Sequence, residues 1–251
     1  MKKKFEDFIF KQGKYAYIDG DSFIKKLIRY SYRFKIRKRK LSTKNLERLC
    51  RKYATNQRTL VVHSEDVNYQ PYFPNAYAVT KRTYVECDMY MDLYYKDLSK
   101  IPDNSYELVF CTGLLEHIPD PQRIVDDLRR ICKVGGKVVV SASSVFSYHE
   151  GPDDFFHFTP YSMELLFSEF SSIDMNKGSS QPFETIGILL ERILLQCDMP
   201  PFVRPIIEIL SNLIPLFDIF VIAQFDTNQK KYKSRMIHSM MPSNIQVAAT
   251  K

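Results

Sequence analysis

The sequence has no tryptophan, only eight glycines and only five cysteines in 251 residues. Cys50, Cys87, Cys111, Cys132 and Cys197 stand alone, none in CxxC or metal-ligand spacing, and their number is odd. That excludes a disulfide scaffold and reads as a reduced set of small core residues, as expected of a cytoplasmic protein. Long hydrophobic runs are also missing. The most apolar region, residues 183–224, is broken by Glu184, Glu191, Arg192, Asp198, Arg204, Glu208 and Asp218. No stretch approaches the roughly 18–20 apolar residues of a membrane-spanning helix. The first residues, MKKKFEDFIF, have a basic start without an apolar run, so no signal peptide is expected. Scarce glycine leaves few places where the backbone can pass closely under a ligand.

What is present is a chain with 45% hydrophobic and 26% charged residues, a globular composition long enough to bury a sizeable core. Its net charge of +7 is unevenly spread. Residues 1–58 hold 19 Lys and Arg against 5 Asp and Glu, a net of +14. Residues 59–225 carry −11 and residues 226–251 carry +4. An acidic body with a basic arm implies that the arm meets something anionic. The run Lys35–Lys40 is the most basic stretch and reads as a solvated face, a lipid-headgroup contact or a nucleic-acid contact. The acidic body would repel phosphates and no RNA-binding module is recognisable, so nucleic acid is the least favoured partner.

The pattern along the chain predicts a basic helical extension over 1–57, with a helix within 22–53. It then predicts an α/β domain over 58–225 and a flexible basic tail over 226–251. Apolar runs at 59–62, 76–80, 106–111 and 137–142 suit parallel strands covered on both faces. Between the last two, Asp120 caps a helix that starts at Pro121, and Ile124, Val125, Leu128 and Ile131 form its apolar stripe. Gly135-Gly136 is expected to end that helix in a left-handed cap. Two helices, within 183–216, read as an insertion or lid, and 218–225 (DIFVIAQF) reads as a late strand. The fold class is therefore α/β, a doubly wound, mostly parallel Rossmann-like sheet.

Ligands in such sheets bind beyond the carboxyl ends of the strands. The 106–111 strand opens into Cys111-Thr112-Gly113-Leu114-Leu115-Glu116-His117. This places Glu116 and His117 just past a strand end, where His117 reads either as a general base or as a structural hydrogen-bonding group. Residues 101–141, with "LEHIPDP" and "LRRICKVGGKVVVS", resemble class I S-adenosylmethionine-dependent methyltransferases of the methyltransferase-type-11 group. Residues 149–160, HEGPDDFFHFTP, resemble a segment found in a subset associated with surface polysaccharides and lipid-linked glycans. The resemblance covers roughly residues 55–225.

It implies S-adenosylmethionine as cofactor and a glycan or glycolipid as acceptor. By position it implies cofactor contacts at His63, Ser64 and Glu65, at Thr80, at Asp97 and Leu98, and at Cys111, Thr112 and Gly113. His117, His149 and Glu150 become the catalytic candidates, and Glu116, Asp154, Phe156 and His157 the acceptor-binding ones. His149 and Glu150 read equally as loop hydrogen-bonding groups, and the aromatics near them as core. The chain departs from the family after Val62, where His63-Ser64-Glu65-Asp66 replaces the glycine-rich loop, and at Thr80, which replaces the ribose-binding acid. Two readings follow: an active methyltransferase with a rewritten cofactor loop, or a cofactor-free binding module in a glycan pathway. The basic arm and the helical pair would suit a protein working peripherally at an anionic membrane.

Overall fold

In the computed structural model, the described residues are 40–62, 67–80, 88–90, 97–176, 179–200, 202–225 and 236–251. Of the basic extension, the helix α1 (Lys40–Lys52) is described. The rest of the arm, residues 1–39, lies outside the described residues.

The four expected strands form, as β1 (Thr59–Val62), β2 (Ala76–Thr80), β4 (Tyr106–Thr112) and β5 (Cys132–Ser143). A two-residue β3 (Met89–Tyr90) pairs with β2. All these neighbours pair in parallel, and their β-branched and apolar residues are buried because helices cover the sheet. Among the described residues the full sheet has seven strands, in the order β3-β2-β1-β4-β5 and then β9 (Asn244–Thr250) and β6 (Ser172–Asn176). Order reverses between β1 and β4, which places the switch point at the carboxyl ends of Val62 and Thr112.

The far half of the sheet corrects the expected domain limits. Residues 244–250 form β9 (Asn244–Thr250), inserted antiparallel between β5 and β6 (Ser172–Asn176). Ile245, Val247 and Ala249 are fully buried in the main core. The 226–251 segment is therefore not simply a flexible tail: its end completes the sheet, and the α/β domain runs to Lys251. The run 218–225 is not a long strand either. Residues 214–220 form a 3-10 helix, and only β7 (Gln224–Phe225) is extended, paired with β8 (Met236–Ile237).

The crossover helix α2 (Pro121–Ile131) begins as expected. Asp120 caps it by accepting from the Arg123 N–H, and its buried face is Ile124, Val125, Leu128 and Ile131. Its end differs. Cys132 is already extended, and Gly135, at φ +76, lies inside β5. The glycine pair serves an irregularity of the strand, where the register shifts between Tyr106 and Leu108. A Cβ on Gly136 would stand 2.7 Å from the Glu107 carbonyl oxygen, so close backbone packing explains that glycine.

Beyond β5 lie the short α3 (Pro160–Leu166) and the helical pair α4 (Pro182–Gln196) and α5 (Val203–Leu213). The pair matches the expected insertion. Asp218 holds it by accepting from the backbone N–H groups of Phe183 and Glu184 at 2.9 and 2.7 Å, satisfying donors that the first turn of α4 leaves open. One core layer gathers β1, β4, β5 and β9 against α2 and α3; a second, containing Phe73 and Phe110, lies under α1.

Candidate functional site

The site is built where β4 and β5 end. Thr112 is buried, and Gly113 follows at φ +64, a left-handed conformation that glycine takes without strain. Its N–H donates to the Ser141 carbonyl at 3.0 Å. A single turn, Leu115–His117, then carries Glu116 and His117 back under the sheet edge. The loop 147–158 folds over this turn. Phe155 and Phe156 donate their N–H groups to the Glu116 carbonyl, and Phe158 donates to Ser143. The loop bends sharply through Glu150, at φ +56, and a cis Gly151–Pro152 bond.

This folding brings together what the sequence holds more than thirty residues apart. The rings of His117 and His149 meet edge to face with centroids 4.8 Å apart. His117 Nε2 lies 4.0 Å from Glu150 Oε2. His117 Nδ1 is 2.6 Å from the Asp153 carbonyl oxygen. A carbonyl only accepts, so the ring hydrogen is assigned to Nδ1 and Nε2 faces Glu150. His117 is buried, while the Glu150 side chain is 31% exposed. Glu150 is therefore the solvent-side member of the pair.

Glu116 is fully buried, and burial pushes its carboxyl well above the usual range. Its Oε1 accepts from both the N–H and the hydroxyl of Ser143, at 3.2 and 2.8 Å. Oε2 is buried without a hydrogen-bond partner. Glu116 thus ties β5 to the His117 turn, and its side chain, expected to meet the acceptor, is buried.

Asp154 and His157 complete the cluster. Asp154 Oδ2 accepts the His149 N–H at 2.8 Å and lies 3.4 Å from His149 Nδ1. Asp154 Oδ1 lies 3.7 Å from His157 Nε2. Burial, with His117 beside it, pulls His149 down to about 4, so this imidazole is neutral at physiological pH. Phe156 is exposed beside the cluster, whereas Phe158 is buried core.

Two residues not singled out for the site hold this loop in place. Arg192 of α4 donates to the Ser147 hydroxyl at 2.7 Å and lies over the Phe146 ring. Gln196 donates to the Tyr148 carbonyl. The Glu191-Arg192 pair in the middle of a mostly apolar helix was the available signal, because charges there need partners.

On the cofactor side, Thr80 is buried at the end of β2, and Leu98 is buried in the turn Asp97–Lys100. Cys111 is fully buried core, and burial raises its thiol. With its side chain in the core, Cys111 offers a ligand only its backbone. His63, Ser64 and Glu65 lie outside the described residues, as does the side chain of Asp97. The Thr80 and Thr112 hydroxyls and the Gly113 backbone, whose N–H is given to Ser141, are the neutral polar groups described on this side. Thr80 stands where the resemblance places the ribose-binding acid and offers a hydroxyl there instead.

Residues 71–140 match the family model described as a methyltransferase domain. That stretch of the chain is similar to a methyltransferase domain. Two solved structures share its fold. One is a SAM-dependent methyltransferase from Archaeoglobus fulgidus, 13% identical, covering 85% of this chain and 94% of that one, with a TM-score of 0.50. The other is a SAM-dependent methyltransferase, a possible histamine N-methyltransferase, from Thermotoga maritima, 9% identical, covering 85% and 90%, with a TM-score of 0.51. No curated protein matches the sequence.

Proposed function

We propose that the protein methylates a hydroxyl of a sugar or lipid-linked glycan, with the cluster of loop 147–158 receiving the acceptor. The observation that carries this reading is the His117 ring, fixed by the Asp153 carbonyl at 2.6 Å and turned towards Glu150. An alkyl hydroxyl gives up its proton only as it attacks, so it needs a positioned base. S-adenosylmethionine, when bound, supplies an electrophilic methyl group. Thr80, Thr112 and Gly113 are the described residues that would hold it.

Glu150 meets the acceptor hydroxyl at the surface, and the hydroxyl proton passes through its carboxylate to Nε2 of His117 behind it. Glu150 is a non-glycine residue at positive φ, a costly conformation found where a side chain must be aimed. Phe156 and His157 border the same opening and offer a stacking face and a polar contact to a sugar ring. Arg192 and Gln196 keep the loop closed over the acceptor, which holds reacting groups in place.

Calorimetric titration tests the reading. S-adenosylmethionine and S-adenosylhomocysteine should both bind with dissociation constants in the micromolar range, about −8 kcal/mol. No heat at millimolar ligand would discard it.

The lipid-linked form of the acceptor draws support from the helical pair. Ile206, Ile209, Leu216, Ile219, Phe220 and Ile222 are all more than half exposed, and they stand close in sequence on α5 and the turn after it. Monomeric proteins rarely leave so much contiguous apolar surface in water. Among the described residues, no helix is long and apolar enough to cross a membrane. An interfacial position on anionic lipid suits this face and the +14 arm. In flotation, the full chain should rise with vesicles containing phosphatidylglycerol, and the double variant Phe220→Asp, Ile222→Asp should stay behind. Equal recovery of the two would rule out membrane docking by this face.

A further inference from the structure

The sequence shows no metal-ligand spacing among its cysteines, yet the fold assembles a different donor set. His149, Asp154 and His157 each offer one ligand atom, and these lie within 4.8 Å of one another. The carboxylate of Asp154 is the centre of the group. Its side chain is 2% exposed, and its Oδ1 has no hydrogen-bond partner. A buried carboxylate oxygen with no partner is costly, and native folds leave few of them. Asp154 Oδ2 lies 3.4 Å from His149 Nδ1, and Asp154 Oδ1 lies 3.7 Å from His157 Nε2.

A zinc ion bonds histidine nitrogen and carboxylate oxygen at about 2.0–2.2 Å, which sets its ligands about 3.3–3.5 Å apart in a tetrahedral shell. The two carboxylate-to-imidazole spacings lie within a few tenths of an ångström of that range, and with all three ligand atoms within 4.8 Å of one another the two imidazoles would draw together around an ion. The Ser147 carbonyl oxygen lies 3.1 Å from His149 Nδ1 and is a further hard donor at the same point. There the Nδ1 hydrogen, which now faces two acceptors, is the one an ion would replace.

We propose that His149, Asp154 and His157 bind a divalent transition-metal ion of the zinc class. Two imidazoles and one carboxylate are the donor set of such ions, with coordination positions left for outside ligands. His157 is 35% exposed, so the site has an entry path and an open side. Within the group, His149 meets the His117 ring edge to face, and Glu150 lies beside His117. An acceptor oxygen bound to the ion would lie beside the base, and its hydroxyl would lose a proton more readily. This role rests on the methyl-transfer reading above; the binding of the ion does not.

The test uses the full chain with Cys197→Ser, which removes an exposed thiol that could bind the same metals. Titration with Co²⁺ should give visible absorption bands that saturate at one ion per chain and disappear when Zn²⁺ is added. His157→Ala, on the exposed loop, and Asp154→Asn should each weaken Co²⁺ by about 100-fold or more. His238→Ala, away from the cluster, should leave it unchanged. An intense near-ultraviolet thiolate band, or Co²⁺ binding that survives His157→Ala, would overturn the proposal, as would no binding at millimolar Co²⁺. Ion binding without S-adenosylmethionine binding would keep the metal site and discard the methyl-transfer reading. Methyl transfer without ion binding would do the reverse.

Discussion

His117→Ala should lower methyl transfer by about 10²–10⁴-fold, the range for loss of a positioned general base. Affinity for S-adenosylmethionine should change by less than about threefold. His117 contacts the loop of Glu150 and Asp153, while the described cofactor-side residues Thr80, Thr112 and Gly113 are separate from those contacts. Single-turnover rates and calorimetry on the same preparations separate the two effects. Because His117 also anchors the loop through Asp153, His117→Gln supplies the control: an amide can keep a hydrogen bond to that carbonyl but takes up no proton. Full turnover in either variant would show that the base lies elsewhere.

Phe110→Ala should destabilise the domain by about 3–5 kcal/mol, as large-to-small changes of buried aromatics do. Phe110 stands in the middle of β4, fully buried, with its ring 5.0 Å from that of Phe73. It belongs to the core layer under α1, which also holds Val61, Leu108 and Val139. No nearby group is free to refill the space, because the neighbours are strand residues held in register by β1 and β5. For a domain of this size the melting temperature should fall by roughly 10 °C or more. A shift under about 3 °C would mean that the layer collapses around the gap or is less tightly packed than its burial indicates.

Much of the fold was legible because local signals were strong and agreed. The apolar runs 59–62, 76–80 and 106–111 became parallel strands, and Asp120-Pro121 marked the start of α2. The misreadings share a cause. DIFVIAQF is as apolar as a buried strand, and a short apolar run carries no periodicity that separates strand from helix. It became a 3-10 turn because Asp218 caps α4 and pulls the segment against it. NIQVAAT is short, and its strand character is realised only between two partners, β5 and β6. Gly135-Gly136 looked like a helix end, and close approach of the Glu107 backbone makes it part of a strand instead.

The sequence alone determined the chemistry on offer: His117, His149, Glu150, Asp154 and His157, with Glu116 beside them. Their order past a strand end and along one loop already marked them as a site. Only the tertiary structure decided how they divide the work. Burial set Glu116 beneath the turn and Cys111 in the core, and left Glu150 and His157 at the opening. The reason is physical. Whether a carboxylate or an imidazole meets a ligand or a neighbouring strand depends on which groups surround it, and those neighbours come from β5, α4 and the 147–158 loop, which only the folded chain brings together.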